Sequence, residues 1–168
     1  DAMKPIYIME EEIESKTNGA IDVQFYASGQ LGGDVQALEG LRSGTIEASA
    51  MSTTIVASLN PQFNIYDIPF LFDSTDGAYE IMDGEIGQSL LDSLEDQNIV
   101  GLGYLDGSYR NLSNNKKEVR TPEDLKGLNI RTLENNLQVQ FWKELGANPT
   151  AISFSELYSA LESNVVEG

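Results

Sequence analysis

The stretch Thr121-Pro122-Glu123-Asp124-Leu125-Lys126-Gly127-Leu128-Asn129-Ile130-Arg131-Thr132-Leu133 decides how the chain reads, because it passes directly from a helix start to an apolar strand. Thr121 is a capping residue, Pro122 suits a first helical position, and Glu123 and Asp124 place acid in the first turn. Leu128 to Leu133 then reads as a strand that carries Arg131 near its end. A helix is expected from about Asn135 to Leu145, with Leu137, Phe141 and Leu145 on one face and Gly146 as terminator. Ser153-Phe154-Ser155-Glu156 spells a capping box opening a last helix through about Glu162. Val165-Val166 reads as a strand that has just begun, so a continuation beyond Gly168 is expected.

Toward the N-terminus the same alternation recurs. Residues 3–17 predict a helix, with Ile6, Met9 and Ile13 at helical spacing, Pro5 in the first turn and Asn18-Gly19 as the stop. Ile21, Val23 and Phe25 alternate with polar residues as a strand. Gly29 to Gly33 form a loop, and Val35, Leu38 and Leu41 mark a helix before Gly44. Further strands are expected over Thr45–Met51, Asn98–Leu105 and Arg110–Ser113. Helical spacing returns at Tyr79 and Met82, then at Ile86, Leu90, Leu91 and Leu94. Strands alternating with helices predict an α/β architecture with a largely parallel sheet. The break Asp106-Gly107-Ser108 precedes a change of charge and predicts a first α/β domain over 1–107 and a second over 108–168.

Composition narrows the function. The chain has 168 residues, 40% hydrophobic, and a net charge of −17, which describes a soluble globular protein with a sizeable core. Such a charge repels polyanions, so nucleic acid is not an expected partner. No stretch approaches the roughly 20 apolar residues of a membrane span. The absence of cysteine and histidine removes disulfides, thiolate chemistry, the commonest general base and the commonest transition-metal ligands. Neither a cofactor motif nor a metal motif appears, so no cofactor, metal site or catalytic residue is expected.

Seven of the ten cations, Arg110, Lys116, Lys117, Arg120, Lys126, Arg131 and Lys143, lie in one segment that is net +3, while the rest of the chain carries −20. The lysines sit in polar turns and read as solvated. Arg110 and Arg131 lie at the edges of expected strands, where ligands approach α/β sheets. A guanidinium offers a planar fork of donors that matches a carboxylate and does not neutralise on burial. Two readings remain open here: a carboxylate clamp, or a structural ion pair beside a solvated basic loop.

Other motifs have plain explanations. Gly29-Gln30-Leu31-Gly32-Gly33-Asp34 lacks the spacing of a phosphate loop and reads as a turn, and Glu10, Glu11, Glu12 and Glu14 read as a solvated helix face. Phe141 and Trp142 read as core. Phe154 suits either core or the aromatic wall of a cleft, and Ser52 either a ligand contact or a helix cap.

Taken together, several motifs resemble the DctP-type solute-binding proteins of tripartite ATP-independent periplasmic (TRAP) transporters. They are Gly29-Gln30-Leu31-Gly32-Gly33-Asp34, Ile68-Pro69-Phe70-Leu71-Phe72, Ser108-Tyr109-Arg110, Thr121 to Gly127, Ile130-Arg131, Leu145 to Thr150 and Phe154 to Leu161. The resemblance implies a periplasmic-binding-protein-like fold of two α/β domains joined by a hinge, here truncated at both ends. It implies a periplasmic or extracytoplasmic monomer without a cofactor, which captures a sugar acid or C4-dicarboxylate and passes it to the membrane permease without inserting in the bilayer. It assigns the main carboxylate salt bridge to Arg131, assistance to Arg110, an aromatic wall to Phe154, a polar contact to Glu134 and a further contact to Ser52. The acid at Glu134 favours a hydroxylated ligand. Two other classes stand beside this one: an enzyme working through Glu134 and Glu156, and a structural or docking domain.

Overall fold

The structure, a computed structural model, describes residues 4–105, 107 and 109–168, which divide into a unit over Asp1–Leu31 and a larger one over Gly32–Gly168. Met3, Asp106 and Ser108, which belong to the expected first helix, the interdomain break and one of the motifs, lie outside the described residues.

In the smaller unit, helix α1 (Lys4–Lys16) ends where Asn18 and Gly19 take positive φ, as the Asn-Gly pair predicts. The expected strand at Ile21–Phe25 is irregular backbone. It folds back on α1 through Val23 N–H donating to Glu14 at 3.1 Å and through an edge-to-face contact of Phe25 with Tyr7.

The larger unit opens with α2 (Asp34–Ser43), closed by the left-handed Gly44 at φ 73°. It continues through α3 (Thr53–Val56), a 3-10 helix over Pro61–Asp67, α4 (Thr75–Met82) and α5 (Glu85–Asp92). Its ordered centre is a β-α-β unit: β1 (Asn129–Thr132), α6 (Asn136–Glu144) and β2 (Asn148–Ala151), followed by α7 (Phe154–Glu162). The two strands pair in parallel, with Asn129 opposite Asn148 and Arg131 opposite Thr150. Parallel strands need a crossover, and α6 supplies it. Gly146, at φ 82°, terminates that helix as expected.

Three predicted strands of this unit differ from the structure. Thr45–Met51, Asn98–Leu105 and Arg110–Ser113 are irregular, because alternation dictates which faces are apolar but a ladder needs a neighbouring backbone. Among the described residues the sheet contains β1 and β2. The expected start of a strand at Val165-Val166 is also unrealised as such. The segment nonetheless runs beside β1, with Glu167 N–H on the Asn129 carbonyl at 2.7 Å, Arg131 N–H on the Gly168 carbonyl at 2.8 Å, and Val166 fully buried. The expected helix at Thr121 is a single 3-10 turn over Pro122–Leu125, and Ser153 donates to the Glu156 carboxylate instead of completing a reciprocal capping box.

Burial explains the arrangement. Leu125, Leu128, Ile130 and Ala147 form one cluster under Trp142 and Leu145, and Ala57, Phe63, Leu90 and Leu94 form a second. Leu133, directly after β1, packs on Leu38 and Ile55 in a third. That contact brings the C-terminal end of β1 against the start of α3.

Candidate functional site

Two helix starts, the end of the 3-10 helix and the end of β1 supply the polar groups of one region. Ser52 caps α3: its hydroxyl accepts from Thr54 N–H and donates to Thr54 Oγ1 at 2.8 Å. Asn135 caps α6, accepting from Leu137 and Gln138 N–H, while its amide donates to the Thr54 carbonyl and to Asn64 Oδ1, both at 2.9 Å. Gln138 accepts from Leu133 N–H and donates to Asp67 Oδ1 at 2.9 Å. Capping therefore ties the end of β1 to the 3-10 helix that delivers Asp67.

Arg110 reaches this network from its irregular segment. Its Nη2 donates to Ser52 Oγ at 3.2 Å and Thr54 Oγ1 at 3.1 Å, and its Nε lies 3.7 Å from Asp67 Oδ1. Thr54 passes its own hydroxyl proton to Asp67 at 3.0 Å, so its one donor and two acceptor positions are all used. The Arg110 side chain is 60% exposed and the Asp67 side chain 5%, which makes the acid the buried anchor and the arginine the group presented to solvent.

Arg131 is half-buried. Its Nε donates to the Ile152 carbonyl at 2.8 Å, while its Nη2 is buried without a partner. Burial, and after it the neighbouring Arg110 guanidinium, press its pKa below the ordinary arginine value, and Asp34 and Glu134 oppose them. An arginine does not deprotonate in a protein, so this unfavourable charge persists until an anion compensates it.

Beside it lies a cleft of about 220 Å³, lined by Gly33 and Gln36 from the start of α2, Glu134 after β1, and Ser153, Ser155 and Glu156 from the start of α7. Gly33 approaches Ser153 so closely that an added Cβ would sit 3.3 Å from the serine Cβ. Glu134 is exposed on the rim, and Phe154, two residues after Ile152, is 71% exposed and not core.

The structure thus brings Arg110 and Ser52 into contact and sets Arg131 within electrostatic range of Arg110 and Glu134. Arg131 lies near the end of β1, as its flanking residues imply, whereas Arg110 lies in irregular backbone where a strand was expected. Lys116 pairs with Glu167, Lys117 bonds a backbone carbonyl and Arg120 pairs with Glu118, so these cations belong to a solvated surface. Sequence reasoning missed Asp67, Thr54 and Gln138. One signal was available for Asp67: it is an isolated acid within the apolar run Ile65-Tyr66 and Ile68-Pro69, and an acid that buries requires partners.

A profile described as bacterial extracellular solute-binding protein, family 7 (DctP), matches residues 4–168. The chain belongs to that family. Among family 7 relatives, the 2,3-diketo-L-gulonate-binding periplasmic protein YiaO of Escherichia coli is 34% identical over 92% of this chain and 47% of its own length. The C4-dicarboxylate-binding periplasmic protein DctP of Rhodobacter capsulatus is 35% identical over 95% of this chain and 48% of its own. A TRAP periplasmic solute-binding protein from Sulfitobacter sp. NAS-14.1, solved with bound β-D-galacturonate, superposes with a TM-score of 0.93 at 36% identity, covering 97% of this chain and 54% of that one. The chain spans about half the length of these relatives. The fold is that of the TRAP periplasmic binding proteins, and the relatives are binding proteins of transporters, not enzymes. The family is described as extracellular and these three relatives as periplasmic, an extracytoplasmic localisation. No helix among the described residues is long and apolar enough to cross a membrane.

Proposed function

We propose that the protein captures a small organic acid of the sugar-acid or C4-dicarboxylate class and delivers it to a TRAP-type membrane permease. Arg131 makes the principal salt bridge and Arg110 assists. The observation that carries this reading is the buried, unpartnered Nη2 of Arg131 beside a second guanidinium. Uncompensated buried charge is costly, and a carboxylate offers two acceptors to such a pair. Each charge-assisted bond contributes about 1.5 to 3 kcal/mol. Micromolar affinity requires roughly 8 kcal/mol, so exclusion of water and contact with Phe154 supply the remainder.

Ser52 acts in this scheme by holding Arg110, and Glu134 receives ligand hydroxyls at the cleft rim. In this scheme residues 1–107 and 108–168 form the two domains, and hinge closure over the ligand is the signal the permease reads. Isothermal titration calorimetry of the full-length gene product against organic acids tests the scheme. Binding is expected for at least one acid and is expected to weaken at least tenfold in Arg131→Ala; undiminished affinity in that variant refutes the clamp.

A further inference from the structure

We propose that Asp67 determines the charge of the ligand, so that the site takes a singly charged, polyhydroxylated acid and discriminates against dicarboxylates. This rests on the arginine-clamp reading above and narrows it.

Arg110 and Arg131 together carry two positive charges, and Asp67, its side chain 5% exposed, places one negative charge 3.7 Å from Arg110 Nε. Thr54 and Gln138 both donate to Asp67 Oδ1, which holds the carboxylate rigidly, and Oδ2 is buried without a partner. Arg110, Arg131 and Asp67 together therefore carry one net positive charge, which a monocarboxylate neutralises. A dianion would leave an excess negative charge near the buried Asp67 carboxylate.

The surroundings reinforce this preference. Asp34 and Glu134 are near enough to act on Arg131, and Glu134 and Glu156 line the adjoining cleft. The other side chains there are Gln36, Ser153 and Ser155, and no lysine or arginine is among the lining residues. A second carboxylate entering that cleft meets two acids and no cation. A hydroxylated chain in the same position donates to the glutamates and exchanges hydrogen bonds with the serines and the amide. The same acids that reject a second carboxylate accept hydroxyl protons.

The test compares D-galacturonate with succinate by calorimetry at neutral pH, using the full-length gene product, wild type and two variants. Asp67→Asn keeps the shape and the Oδ1 acceptor but removes the charge. Glu134→Gln removes a rim charge without touching the core. The wild type is expected to prefer galacturonate by about tenfold or more, Asp67→Asn to narrow that ratio by about tenfold and Glu134→Gln by about threefold. A thermal melt establishes whether Asp67→Asn folds; if it does not, Asp67→Ser, which also removes the charge, takes its place. A wild-type preference for succinate overturns the proposal. So does a ratio unmoved in a folded Asp67→Asn, whatever Glu134→Gln does; a uniform loss for both acids in Asp67→Asn would reduce Asp67 to positioning Arg110. Binding of neither acid, nor of any other carboxylate in a panel, overturns the clamp reading itself.

Discussion

The carbonyl oxygen of Ile152 holds Nε of Arg131 at 2.8 Å, while Nη2 of the same guanidinium is buried without a partner. One edge of the fork is thus oriented by backbone just before α7, and under the proposed clamp the other edge receives the ligand carboxylate. Lysine lacks the fork, so Arg131→Lys is expected to bind the preferred acid about as poorly as Arg131→Ala, at least tenfold below wild type by calorimetry.

The ligand-free protein carries an unfavourable charge at Arg131, pressed by burial and by Arg110. Arg131→Met retains the stem and removes that charge. Its ligand-free melting temperature is expected at or above the wild-type value, with the ligand-induced increase abolished, as read by differential scanning calorimetry. A fall in melting temperature would show that the arginine is structural.

Thr54 is 1% exposed, and its hydroxyl serves Ser52, Arg110 and Asp67 simultaneously. Thr54→Val preserves shape but leaves Asp67 with one donor fewer. The expected loss is about 1 to 3 kcal/mol in a urea titration, accompanied by weaker acid binding as Arg110 loses its anchor.

Gly87 lies early in α5 with no room for a side chain: a Cβ there would fall 1.8 Å from the Met82 carbonyl oxygen. Backbone cannot yield as a flexible side chain does. Gly87→Ala is expected to destabilise by roughly 2 kcal/mol or more, seen as a lower denaturant midpoint at unchanged slope.

Asp124 accepts from Arg120 N–H, Thr121 N–H and the Thr121 hydroxyl, and these bonds hold its pKa below the ordinary aspartate value. The depressed folded-state pKa means that its stabilisation is complete above the unfolded-state value and is lost as pH falls through the folded one. Asp124→Asn should therefore flatten the acid limb of the stability profile below about pH 4, measured by denaturation across pH. An unchanged acid limb would contradict the assignment.

Much of this was legible in the residues alone. The helix stops at Asn18-Gly19, Gly44 and Gly146, the strand carrying Arg131 and the helix after Asn135 all follow from local rules: left-handed glycines, caps and apolar spacing act within a few residues. The two arginines were distinguishable from the lysines by their apolar flanks, and the ordered set of motifs marked the family. The strands at Thr45–Met51 and Asn98–Leu105 were misread because pairing is non-local: alternation describes a face, and only a neighbouring backbone makes a ladder. The same limit hid Asp67. Its meeting with Arg110 spans 43 positions, and Gln138 reaches it across 71. Local chemistry named the cations, but packing of Leu133 against Leu38 and Ile55 placed the end of β1 beside α3. That apolar contact assembles the polar network, and no spacing along the chain encodes it.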